Sequence, residues 1–282
     1  MRRGEARGAG RAVAMTPLLD EVLADMAAAA RAAGELTLRH FRRFREVAVG
    51  IKGPADFVSD ADREAELLIR ERLLGRYPAW SLTGEEFPPE ERGSEHRFLV
   101  DPIDGTTNFL NGMDYTISIA LRRENETVAG VLLNPVRDEM FTAIRAQGAF
   151  LNGERLRVSD RTEVALMAVG TGLPTPNLHS FAGFYARLEA IRAPIGAVRI
   201  VGSSANSCAH VACGRLTGYF EESGLVDWAV GELLVEEAGG VVTDWWGRGP
   251  EHYERSGMVI AASPATHAYL LEMLRDAPRK DP

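Results

Sequence analysis

The chain is short of cysteine and of long apolar runs, and each shortage closes off a class of function. Its two cysteines, Cys208 and Cys213, lie in a segment of small residues, Ser204 to Leu216, that reads as a helix. A zinc or redox centre needs more ligands at better spacing, so both read as core packing. None of the six histidines falls in a chemistry-bearing motif, and His210 reads as an ordinary core or surface residue. No apolar run approaches the ~20 residues of a membrane span, and the longest carry charges. Clustered positive charge is missing too: the formal net charge is −8, whereas a nucleic-acid footprint needs a basic face. Internal repeats and low-complexity linkers are absent. The expectation is a soluble, cytoplasmic protein with neither a membrane nor a nucleic-acid partner.

At 282 residues and 45% hydrophobic, the chain can bury a sizeable core, as one large domain or two small ones. Residues 1–15, rich in arginine and glycine and without the apolar centre of a secretory signal, read as a flexible tail, with Met15 an alternative start. Thr16-Pro17 then supplies a cap and a first-turn proline for an alanine-rich amphipathic helix to about Arg43. A strand follows near Val47 to Ile51, then a helix from about Asp60, and a strand from Trp80 to Leu82 that leads to Glu85. Alternation marks strands at Thr116 to Arg122, Thr127 to Leu133 and Glu139 to Ile144, with Asn152-Gly153 as a hairpin turn. Beyond Val164 strands and helices alternate. The strands are Ala165 to Val169, Ala197 to Val201, Tyr219 to Glu221, Val241 to Asp244 and Met258 to Ala262; the helices are Phe181 to Ile191, Ala205 to Leu216 and Val226 to Glu237. The expected division is an N-terminal α+β half, 16–158, and a C-terminal α/β half, 159–276.

The densest chemistry is in Leu99-Val100-Asp101-Pro102-Ile103-Asp104-Gly105-Thr106-Thr107-Asn108-Phe109. In a plain strand, side chains three apart point to opposite faces, so Asp101 and Asp104 share an ion only if the chain turns between them. Pro102 makes that turn, with Phe98 to Val100 a strand ending at Asp101. Gly105 permits close backbone approach, and Thr106-Thr107 opens a short helix whose free amides favour an anion. Two hard oxygen ligands beside an anion hole suit Mg2+ and phosphate.

This segment resembles the signature of the inositol monophosphatase family, D-P-[IVL]-D-G-T-[ST]-N-F. Three further segments match in order: Asp56-Phe57-Val58-Ser59-Asp60-Ala61-Asp62, Thr83-Gly84-Glu85-Glu86, and Asp227-Trp228-Ala229-Val230-Gly231 running into Glu237-Ala238-Gly239-Gly240. The resemblance implies an α/β, layered αβαβα sandwich with its active site between the halves. It implies a lithium-sensitive phosphomonoesterase acting on inositol monophosphate and related sugar phosphates through metal-activated water, with two or three Mg2+ per site. Glu85, Asp101 and the Ile103 carbonyl would hold one ion, and Asp101, Asp104 and Asp227 a second. Thr106 and Glu85 would orient and deprotonate the water, with Asp62 bonded to Thr106. Asp104, Gly105 and Thr106, the turn Gly202-Ser203-Ser204-Ala205, and Glu221 or Glu222 would contact substrate, and Lys52 would lie near the metals. A homodimer is also implied.

The carboxylates need those ions, since each close pair costs on the order of 4 kcal/mol at an effective dielectric near 20. Haloacid-dehalogenase-type phosphatases use D-x-D-G-T, and the spacing of three here argues against them. Fructose-1,6-bisphosphatase, histidinol-phosphatase and adenosine 3′,5′-bisphosphate phosphatase activities stay open, as does a catalytically weak regulatory member. One departure concerns the substrate pocket: where many members carry a tryptophan before the aspartate, Val226 precedes Asp227 and Trp228 follows it.

Overall fold

The computed structural model describes residues 9–46, 49–53, 56–173 and 181–275. Helix α1 (Ala9–Phe41) leads to a hairpin of β1 (Val49–Gly53) and β2 (Asp56–Ser59), followed by α2 (Asp60–Arg76). Seven strands then form one sheet: β3 (Ser81–Gly84), β4 (His96–Asp104), β5 (Thr116–Arg123), β6 (Glu126–Asn134), β7 (Glu139–Ile144), β8 (Gly148–Leu151) and β9 (Glu154–Arg155), in chain order, antiparallel except for β3 on β4. The short helix α3 (Thr106–Leu110) interrupts them between β4 and β5.

The second sheet has the order β11-β10-β12-β14-β13. Its strands are β10 (Ala168–Thr171), β11 (Ala197–Ile200), β12 (Gly218–Glu222), β13 (Val241–Thr243) and β14 (Met258–Ala262). Between them run α4 (Phe181–Arg192), α5 (Ser204–Ala212), α6 (Leu225–Glu237) and α7 (Pro250–Ser256), and α8 (Pro264–Leu274) follows. Helices α1 and α2 cover the outer face of the seven-stranded sheet, α5 and α6 fill the space between the sheets, and α4 and α8 cover the outer face of the second. This is the αβαβα sandwich. Helix α6 is apolar nearly all round because it touches both sheets, and Trp228, Val230, Leu233 and Leu234 are all buried.

Several boundaries differ from the sequence reading. Helix α1 starts at Ala9, ahead of Thr16-Pro17, so Ala9 to Met15 are helical and not tail; the alanines of this segment favour helix. Residues 1–8 and Val47-Ala48 lie outside the described residues. The Ala165 strand begins only at Ala168, after a 3-10 turn at Val164–Leu166. Strand β2 and helices α7 and α8 carry too short or too weak a pattern to be read from periodicity alone.

One correction bears on the site. Strand β4 does not end at Asp101 but continues through Pro102 and Ile103 to Asp104. Its register on β5 shifts on the way: Asp101 faces Ser118, while Asp104 faces Thr116. Three steps on one strand thus match two on the other, which is a β-bulge. Since Ser118 and Thr116 are two apart and share a face, the bulge brings Asp101 and Asp104 onto one face as well.

Candidate active site

Asp101 and Asp104 are almost fully buried, 3% and 7% exposed, at the end of β4. The chain then reverses at Gly105, whose φ of 95° is the left-handed conformation that a side chain disfavours, and enters α3. Asp104 accepts bonds from Ser203 Oγ at 2.5 Å, from the Ala205 and Ser204 amides at 2.8 and 3.3 Å, and from Thr116 Oγ1 at 3.2 Å. The carboxylate at the end of β4 therefore sits on the first turn of α5. Asn108 reinforces the joint, donating to the carbonyls of Asp114 (3.0 Å) and Val201 (2.8 Å).

Asp227 lies in the first turn of α6, where its Oδ2 accepts the Gly224 amide at 2.8 Å and so caps the helix. Glu85 stands just past β3, more exposed than the aspartates. Asp62 holds the start of α2 by accepting from Ser59 N (2.8 Å) and Oγ (2.5 Å). Its other oxygen is 3.3 Å from Thr106 Oγ1, which also lies 3.2 Å from the Ile103 carbonyl.

Electrostatics tie the group together. Burial raises the Asp101 carboxyl well above the ordinary range, and the charges of Glu85, Asp104 and Asp227 push it further. Burial also raises Asp104 to about 6, against the lowering effect of its four hydrogen-bond donors. Asp227 reaches about 7 through burial and the charge of Asp104. None of the leading influences on the three is cationic. Among the described residues no three His, Cys, Asp or Glu side chains already clasp an ion position as they stand. The reason is visible in the bonds above: Asp104 and Asp227 spend oxygens on helix starts, and Asp101 spends one on the Ile103 amide at 3.0 Å. Hard oxygen donors that lack a positive charge among them suit a divalent cation.

The two candidate glutamates separate. Glu221 is enclosed, with its carboxyl raised to about 7 by burial. It accepts from Ser204 Oγ at 3.0 Å and from Tyr219 Oη, and its charge acts on Asp227. As its neighbour in β12, Glu222 points to the opposite face. Trp228 is 1% exposed, packs edge-on against Tyr253 at 5.1 Å and donates to the Ser223 carbonyl. It belongs to the core between the sheets. Lys52 is in β1, but its side chain lies outside the described residues. Thr116, Asn108 and Tyr219 had no assigned role in the sequence reading; only strand pairing across the bulge and between sheets brings them in.

Cys208 is a buried free thiol raised by burial, and His210, lowered by burial, lies in the same helix. Neither joins the cluster.

A sequence profile described as the inositol monophosphatase family matches residues 18–279. The chain belongs to that family. Among its relatives are an inositol-1-monophosphatase of Mesorhizobium japonicum, 40% identical over 89% of this chain and 94% of that one, and a Nus factor SuhB of Pseudomonas aeruginosa, 36% identical over 93% and 97%. Among solved structures, the suhB extragenic suppressor protein of Bartonella henselae superposes with a TM-score of 0.87 at 38% identity, covering 92% of this chain and all of that one. An IMPase of Thermotoga maritima reaches 0.79 at 29% identity, over 88% and 94%. Membership of the inositol monophosphatase family thus extends over the layered fold and every motif described above.

Proposed function

We propose that the chain is a Mg2+-dependent phosphomonoesterase that hydrolyses inositol monophosphate and related sugar phosphates. The observation that carries this reading is the group formed by the buried Asp101 and Asp104 with the half-buried Asp227, all raised by burial, Asp101 and Asp227 further by neighbouring carboxylates, with no cation among the leading influences. The ligand set we infer is Glu85, Asp101, Asp104, Asp227 and the Ile103 carbonyl. Bound Mg2+ would neutralise the phosphate and lower the pKa of the attacking water.

The protein's own groups do the rest. Asp62 orients the Thr106 hydroxyl, Thr106 and Glu85 align the water, and Glu85 takes its proton. Water oxygen bonds to phosphorus as the ester P–O bond breaks, and the proton taken by Glu85 passes on to the departing oxygen, so that the alcohol leaves neutral. Ser203, Ser204, Gly202 and Glu221 line the substrate side, with Gly105 and Thr106 beneath the phosphate. Li+ is expected to inhibit, because a monovalent ion leaves these carboxylates under-neutralised. A small phosphate ester, not nucleic acid, is the ligand that a net charge of −8 with a buried acidic site favours. A homodimer is part of the proposal, and sedimentation tests it. No helix among the described residues is long and apolar enough to cross a membrane.

Phosphate release from inositol 1-phosphate, with Mg2+ and with chelator, is the test. Release that requires Mg2+ supports the reading; no release from any of a panel of sugar and nucleotide phosphates rejects it. The second reading, a catalytically weak regulatory member, is favoured by the Nus factor name of the SuhB relatives. Mg2+ binding without turnover on the whole panel would select it.

A further inference from the structure

Glu85 lies in an irregular turn between β3 and β4, yet the backbone on both sides of it is anchored from behind by α2. Glu66 and Arg70, one helical turn apart, are buried, with side chains 0% and 8% exposed. Arg70 Nε donates to Glu66 Oε1 at 2.7 Å, and Glu66 Oε2 accepts the Glu86 amide at 2.6 Å. Arg70 Nη2 reaches the Phe87 and Pro88 carbonyls at 3.1 and 3.2 Å, and its Nη1 is 3.6 Å from Glu90 Oε1. The Glu66 carboxylate also lies flat on Gly84, where any Cβ would overlap it.

The same helix holds the other water-directing group. Asp62, which meets Thr106, is four residues before Glu66, and Arg70 is four residues after it, so all three share one face. A rise of about 6 Å per four residues makes that face a rigid spacer between the Thr106 hydroxyl and the Glu85 turn. Stability alone does not explain such a pair. A buried ion pair is often replaceable by apolar residues of similar volume without loss. What apolar residues cannot do is direct three hydrogen bonds at the segment 86–88.

We propose that Glu66 and Arg70 are positioning residues, which hold Glu85 at a set distance from Asp101 and Thr106 and thereby tune metal affinity and water attack. This rests on the phosphatase reading above. The test compares wild type with the Glu66→Leu/Arg70→Met double variant, and with Arg70→Lys, which keeps the charge but loses the forked reach to Glu66, Phe87 and Pro88. Mn2+ alone is titrated and followed by electron paramagnetic resonance, turnover is measured on inositol 1-phosphate with Mg2+, and melting is recorded for each protein.

Both variants should stay folded while Mn2+ affinity and kcat each fall about tenfold or more, the usual cost of losing a partner that orients a ligand. KM should change by less than about threefold, since the substrate wall is untouched. Glu66→Gln, whose carbonyl still accepts the Glu86 amide but whose NH2 group cannot accept from Arg70 Nε, should retain only part of the function. If the folded variants keep Mn2+ affinity and kcat within about twofold of wild type, or lose activity only in step with the folded fraction, the proposal falls. If the double variant does not fold, Arg70→Lys decides by the same criteria. A wild type that binds Mn2+ but hydrolyses nothing removes the phosphatase reading alone, and the Mn2+ titration still decides the positioning role. A wild type that binds no Mn2+ overturns both.

Discussion

At Asp101, burial and three neighbouring carboxylates act on one group. Its carboxyl is raised first by burial, then by Glu85, Asp104 and Asp227. Asp101→Asn keeps an acceptor for the Ile103 amide while removing one negative charge. Two opposite effects should follow. Without Mg2+ near pH 8 the variant should melt about 2–4 °C above wild type, because a repulsive buried charge is gone. With Mg2+ its phosphatase activity should fall below about one-thousandth of wild type. Calorimetry and phosphate release check the pair. Near-normal turnover would mean that the ion is held elsewhere. The motif around Asp101 was legible in sequence because its spacing is local. The roles of Thr116 and Tyr219 were not, since each depends on a partner brought close by strand pairing.

At the scale of elements, the bulge in β4 and the burial of α6 matter most. Pro102 marked a turn, but a turn and a bulge differ in whether pairing resumes, and only the β5 register decides that. Helix α6 carries a separate testable feature in Glu232, buried between the sheets and bonded by Tyr253 Oη at 2.6 Å. Burial pushes its carboxyl from 4.5 to about 7. A carboxyl raised on folding binds its proton more tightly in the native state, so its stabilising contribution is complete below about pH 4.5. It is lost as pH climbs through about 7. The loss is on the order of 3 kcal/mol at most. Glu232→Gln can still accept from Tyr253 and has nothing to titrate. Its melting temperature should therefore fall less than that of wild type between pH 5 and pH 8, as thermal melts across that range (chosen to span about 7) would reveal. Parallel curves would show that Glu232 is ionised at no stability cost.

Across the whole molecule, the site gathers groups from both sheets and from the helices between them. An ion held by the proposed ligands would tie β4 of the first sheet to α6 and, through the bonds of Asp104, to α5. Mg2+ at about a hundred times its dissociation constant should stabilise by about 2.7 kcal/mol, or roughly 5–10 °C in a chain of this size. A melting temperature indifferent to Mg2+ would argue that the carboxylates hold no ion. The wall above Asp227 offers a second prediction. Trp228 packs against Tyr253 in the core and the residue before Asp227 is the smaller Val226, so the expected substrate wall is one that excludes little volume. Pocket shape discriminates by only ~1–3 kcal/mol per small group, so fructose 1,6-bisphosphate or another sugar phosphate should be cleaved within about a hundredfold of inositol 1-phosphate in kcat/KM. Strict preference for one ester, by more than about a thousandfold, would contradict an open wall.

What the sequence determined by itself is whatever depends on near neighbours or on composition. Strands β5 to β7, the Asn152-Gly153 turn and helices α2 and α6 follow from periodicity and turn chemistry. The ordered acidic motifs named the family because their spacing is a property of the chain alone. The tertiary structure decided what depends on partners distant in sequence. It turned the Pro102 break into a bulge that aligns two aspartates, chose Glu221 over Glu222 as the inward glutamate, and sent Trp228 into the core. It also put Glu66 and Arg70 behind Glu85, although an i, i+4 charge pair on a helix reads from sequence as an exposed ion pair. The reason is common to all four: local sequence sets backbone preference and side-chain alternation, but which face meets a second sheet is settled only when that sheet packs against it.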